Sequence, residues 1–152
     1  MLGTHACHER FERRNVTDHA TPDEPMTARC SLVSIVDDDE SVRESLPDLL
    51  KELGFAVQPF SSARDFLASE YLGETDCLIV DVEMPGMTGP ELQQELIQRG
   101  QKIPIIFITA YVDEAVRKSV IQHGAVDCLF KPFAEATLIA ALNAALGAHA
   151  KA

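Results

Sequence analysis

Short apolar runs alternate with segments of helical spacing five times between Leu32 and Leu146. The runs Leu32–Val36, Phe55–Gln58, Cys77–Val82, Ile103–Thr109 and Val126–Phe130 are rich in Val, Ile, Leu and Phe and too short for independent helices, so they predict strands. Between them, Glu40–Leu53 repeats apolar residues at spacings of three and four (Val42, Leu46, Leu49, Leu50, Leu53), with a bend expected at Pro47 and a stop at Gly54. Ser61–Ser69, Gly89–Arg99, Asp113–His123 and Ala134–Leu146 predict four more helices. Pro90 is tolerated in a first turn, Asp113 serves as a cap, and Gly100 and Gly124 act as stops.

Strict alternation of strand and helix predicts parallel strands, because a parallel crossover needs a helix-length connection. The runs "LIVDV" and "IPIIFIT" are apolar on both faces, as strands covered by helices on both sides must be. The expected architecture is therefore α/β: a flavodoxin-like, doubly wound sheet of five strands in the order 2-1-3-4-5, with five helices. In such sheets ligands bind beyond the carboxyl ends of the strands where the winding reverses, here between the first and third strands.

Polar residues leave the strands at that rim. "IVDDDE" ends the first strand in Asp37, Asp38, Asp39 and Glu40; the third runs into Asp81, the fourth into Thr109 and the fifth into Lys131. Asp37, Asp38 and Asp81 should lie close together, and three adjacent carboxylates each raise the others' pKa unless a cation joins them. A hard divalent cation with oxygen ligands answers this, and Mg²⁺ is the natural choice because it takes few carboxylates and leaves positions for phosphate oxygens. The lysine and threonine would share the charge of a phosphoryl group, with Asp81 as the carboxylate nucleophile. The backbone carbonyl of Glu83 is a further candidate metal ligand, and Pro85 with Gly86 makes a turn. Asp39 and Glu40 read as helix-start acids.

Composition narrows the function. Residues 31–152 hold nine basic and nineteen acidic residues, which argues against direct nucleic-acid contact. Cys7, Cys30, Cys77 and Cys128 show no CxxC spacing and read as reduced thiols of a cytoplasmic protein. No run approaches the ~20 apolar residues of a membrane span, and the N-terminus lacks a signal peptide's apolar core. Residues 1–30, aperiodic and mixed in charge, read as a flexible extension, with Met26 as an alternative start. His5, Cys7 and His8 in "HACH" lack a fourth metal ligand at a recognisable spacing. Residues 149–152 read as a tail.

Together "VDDDE", "DVEMPGMTG", "FITA" and "KPF" resemble the receiver domain of two-component response regulators, over residues 31–148. The flanking "ESVRESL", "RDFL" and "HGAVDCLFKPF" are similar to the FixJ-like subgroup. The resemblance implies a phosphoprotein in which Asp81 accepts a phosphoryl group from a sensor histidine kinase. Asp37 and Asp38 would hold Mg²⁺, Thr109 would sense the phosphoryl group, and Lys131, before a cis proline bond, would pair with it. Helix 4, strand 5 and helix 5 would form the switching face, a candidate surface for an output partner or a dimer. Such a chain is no enzyme beyond its own phosphorylation and dephosphorylation.

Cys128 departs from the pattern: receivers commonly carry Tyr or Phe there, and Tyr111 is the candidate substitute for that switching aromatic. His123 reads as a cap-like surface residue. Two alternatives are the receiver half of a longer DNA-binding regulator, and a phosphohydrolase with Asp81 as nucleophile and Glu83 as general acid. A flavodoxin is excluded, since the acids after the first strand would repel its phosphate.

Overall fold

A computed structural model describes residues 31–151, with side chains as far as Gly147. The N-terminal extension and its "HACH" cluster lie outside the described residues. Five parallel strands, β1 (Leu32–Val36), β2 (Ala56–Phe60), β3 (Cys77–Asp81), β4 (Ile105–Thr109) and β5 (Asp127–Phe130), pair in the order β2-β1-β3-β4-β5. The helices are α1 (Glu40–Glu52), α2 (Ala63–Leu67), α3 (Gly89–Gln98), α4 (Glu114–Gln122) and α5 (Glu135–Lys151).

The alternation of side chains along each strand divides the core in two. Along β4, Ile106 and Ile108 join Leu46 and Leu50 of α1 and Leu138 and Leu142 of α5. Ile105 and Phe107 face the other way, against Phe66 of α2, Leu92 and Leu96 of α3 and Val120 of α4. Helices therefore cover both faces, and the central strands β1, β3 and β4 are buried along their whole length. Each fully buried Leu, Ile or Phe contributes about 1.5–3 kcal/mol, so this double core holds the rim in place.

Local chemistry sets the ends. Asp39, Ser62, Thr88 and Asp113 cap α1 to α4 with side-chain acceptors, and Thr88 with Glu91 closes a reciprocal capping box. Gly54, Gly100 and Gly124 follow three of these helices at φ of 99°, 74° and 107°, where a side chain would be strained.

Several boundaries differ from the spacing-based expectation. β2 runs on through Pro59 to Phe60; as an edge strand it tolerates a residue without an N–H. Strand β4 begins only after Pro104, and α2 is shortened to Ala63–Leu67 by its Ser62 cap. Helix α5 continues past Leu146 to Lys151, through an alanine-rich stretch of high helix propensity. Helix α1 is continuous across Pro47, whose ring is buried.

Candidate functional site

The parallel register delivers the polar residues to one rim. Val36 of β1 pairs with Val80 of β3, so Asp37 and Asp81 leave adjacent strands at the same level. Asp81 pairs with Ile108 of β4, and Thr109 with Phe130 of β5, which brings Thr109 and Lys131 to the neighbouring positions. Among the described residues, Asp37, Asp38 and Asp81 form a cluster in which one carboxylate oxygen from each lies within 4.8 Å of the others. Asp37 and Asp81 are buried and Asp38 is exposed, so the cluster opens to solvent on one side.

Lys131 bridges the two buried acids. Its Nζ donates to Asp37 Oδ2 at 3.1 Å and to Asp81 Oδ2 at 3.2 Å. The other oxygens are held by the backbone: Asp39 N–H donates to Asp37 Oδ1 at 2.9 Å, and Glu83 N–H to Asp81 Oδ1 at 3.0 Å. Burial pushes the Asp37 carboxyl above its ordinary pKa despite its bonds from Asp39 and Lys131, and the charge of Asp81 adds to the rise. Burial pulls Lys131 the other way, but its bonds and charge interactions with Asp37 and Asp81 outweigh it, so its pKa is raised and it stays an ammonium. The carboxylates thus outnumber the cation in a half-buried cleft. Three hard oxygen donors opening to solvent suit a small divalent cation that keeps part of its water shell.

Thr109 is buried at the same rim, but its hydroxyl serves its own loop. It accepts from Tyr111 N–H at 3.1 Å and donates to the Tyr111 carbonyl at 3.3 Å. Tyr111 meets Thr109 through its backbone, and the residue as a whole is 64% exposed. The side chain of Glu83 points to solvent, as an exposed residue one loop position beyond Val82. Cys128 is buried among Phe107 and Val120, and burial raises its thiol pKa. His123 is exposed at the C-terminal end of α4, its Nδ1 2.7 Å from the Ser119 carbonyl, in line with a cap-like role.

Sequence reasoning missed two residues at the rim. Arg43, one turn into α1, donates from Nη1 to the Asp37 carbonyl at 2.9 Å. Gly89 sits so close to the end of β3 that a Cβ there would lie 2.4 Å from the Asp81 carbonyl oxygen. Both fall inside quoted motifs, Arg43 in "ESVRESL" and Gly89 in "MPGMTG", but spacing alone says nothing of a guanidinium reaching back or of a helix starting against a strand.

Comparison with known proteins agrees with the fold. The sequence profile of the response regulator receiver domain matches residues 33–143. The chain is similar to the response regulator protein TodT of Pseudomonas putida, 43% identical over 121 residues that cover 80% of this chain and 53% of TodT. It is also similar to the transcriptional regulatory protein FixJ of Azorhizobium caulinodans, 41% identical over 119 residues, 78% of this chain and 56% of FixJ. The chain spans about half the length of the curated relatives it matches. The solved structure of FixJ-N superposes with a TM-score of 0.71 at 37% identity, covering 78% of this chain and 95% of that one.

Proposed function

This chain belongs to the receiver-domain family of two-component response regulators, and from that premise we propose that it takes a phosphoryl group from a sensor histidine kinase onto Asp81. The observation that carries the reading is the cluster itself: three carboxylates within 4.8 Å, two of them bridged by one lysine. Asp37, Asp38, Asp81 and the Glu83 carbonyl are the candidate ligands of Mg²⁺. When bound, that ion would draw charge from the phosphoryl oxygens and offset repulsion among the acids.

The chain's own groups divide the remaining work. A carboxylate oxygen of Asp81 attacks phosphorus; the new O–P bond forms as the N–P bond of the donor's phosphohistidine breaks, and the electron pair returns to the imidazole. Lys131 already lies against an oxygen of Asp81, and as a fixed cation it is poised for the charge that arrives there. Thr109 can offer its hydroxyl once that hydroxyl releases Tyr111, and this release would carry the event into the loop before α4. The face built from α4, β5 and α5 is the proposed reader surface, for an output partner or a second copy. Cys77 and Cys128 are free thiols, which favours a cytoplasmic setting.

Incubation with acetyl phosphate and Mg²⁺, read by intact mass, tests this. One phosphoryl group per chain, stable in acid and labile in base, is expected on the wild type and absent from Asp81→Asn. An Asp81→Asn chain that still gains the group would move the acceptor elsewhere, and sustained turnover of general phosphoesters would favour the hydrolase instead. The relatives' lengths favour one further reading, that this receiver is the regulated half of a transcription regulator.

A further inference from the structure

Every polar group of Asp37 is bonded. Its N–H donates to the Phe60 carbonyl at 3.1 Å, continuing the strand ladder, and its two carboxylate oxygens take Asp39 N–H and the Lys131 ammonium. The fourth bond is of another kind: the Asp37 carbonyl accepts from the guanidinium of Arg43 at 2.9 Å. Nothing in the proposed chemistry uses this bond.

Its geometry reaches beyond Asp37. A peptide unit is planar, so the Asp37 carbonyl shares one plane with the nitrogen and Cα of Asp38. An anchor on that oxygen fixes the plane, and with it the point from which the Asp38 side chain leaves the backbone. Asp38 is exposed, so packing does little to aim its carboxylate. Arg43 is itself well anchored, because its N–H donates to the Asp39 carbonyl at 3.1 Å and closes the first turn of α1 over the loop. A charge-assisted bond from a planar, permanently ionised guanidinium suits such a clamp.

We propose that Arg43 is a positioning residue for the cation site: it pins the peptide between Asp37 and Asp38 and so sets the two acids for a divalent ion. The inference rests on the reading of these acids as a Mg²⁺ site. Electrostatics alone predict the opposite effect. A guanidinium beside the acids repels an incoming cation, so a residue acting merely by its charge would, when removed, leave Mg²⁺ binding tighter. A positioning residue, when removed, leaves it weaker, by about 10- to 100-fold for groups that orient metal ligands.

The sign of the change is the test. Mg²⁺ is titrated calorimetrically into the unphosphorylated full chain as wild type, Arg43→Ala and Arg43→Lys, with a thermal melt of each. Arg43→Ala should bind Mg²⁺ at least about tenfold more weakly, and Arg43→Lys, which keeps the charge and a donor, should recover most of the loss. If the alanine chain does not fold, Arg43→Met keeps the stem and takes its place. Equal or tighter binding after truncation overturns the proposal, as does a lysine variant no better than the truncation. A lowered melting temperature with unchanged affinity marks a structural role only and overturns it too. A wild-type chain that refuses Mg²⁺ would bring down the site reading itself, and Arg43 with it.

Discussion

Asp37, just beyond β1, and Asp81, the last residue of β3, are buried with their carboxylates bonded, whereas one strand over, Tyr111 and Val112 leave β4 with 64% and 72% of their surface in solvent. The first region is bound by a lysine bridge, two backbone N–H groups and the guanidinium of Arg43. The second is held mainly by one threonine hydroxyl that both accepts from and donates to Tyr111. Chemistry needs fixed distances, and response needs a part that can be released at small cost. On the proposed reading the rim provides both on neighbouring strands, and the contrast can be attacked from either side.

The largest effect should come from removing the bridge. Lys131→Ala takes away the ammonium that lies against both buried acids, and phosphoryl incorporation from acetyl phosphate should slow by about 100-fold or more, as when one charge-stabilising donor is lost. An unchanged rate at saturating Mg²⁺ would show that the lysine is a structural counter-ion. Next is Gly89→Ala, which sets a methyl group against the Asp81 carbonyl at 2.4 Å and forces strand or helix to shift. We expect a destabilisation of about 1–3 kcal/mol in urea unfolding, with slowed labelling as well, because the backbone of the proposed acceptor is displaced.

A smaller, pH-dependent effect belongs to Asp37. Its pKa is raised in the fold, so the native state favours the protonated form. Relative to the unfolded chain this contribution is complete below the ordinary carboxyl value of ~3.9 and is lost as pH rises through the raised value. Asp37→Asn should therefore stabilise the Mg²⁺-free protein near neutrality, and the advantage should shrink on acidification. Urea titrations at neutral and acidic pH check it; a variant that is less stable at neutral pH would mean that the bond to Lys131 outweighs burial. The least effect should come from Tyr111→Ala, within about 0.5 kcal/mol of wild type, because an exposed side chain has little packing to lose. A substantial loss would place the ring against the core. An unchanged phosphorylation-dependent shift in NMR spectra would remove Tyr111 as the candidate for the switching aromatic.

Most of the fold could be read from the chain because two periodicities coincided with clear stops. The apolar runs that became β1, β3 and β4 are buried on both faces, and Gly54, Gly100 and Gly124 end helices where spacing predicts. The acids and the lysine were legible for a topological reason: once the strand order is known, residues at carboxyl ends must meet. Less legible were features that depend on distance. Pro59 hid the end of β2, because nothing local tells an edge strand from a central one. Gln93, buried in α3 with its amide donating to the Val120 carbonyl of α4 at 3.0 Å, ties two helices together, yet in sequence it is one polar residue among several glutamines. Arg43 is the same case at the site, a basic residue whose partner is a backbone oxygen.

The borders of the sheet have a consequence for assembly. β2 carries a proline near its end and β5 is only four residues long. A foreign strand seeking to extend the ladder would find an interrupted row of donors on one side and a very short template on the other, both of which discourage uncontrolled stacking. Pairing by strand addition is thereby disfavoured, and contacts made through side chains, on the helical flanks and the loops of the rim, are left to decide what docks.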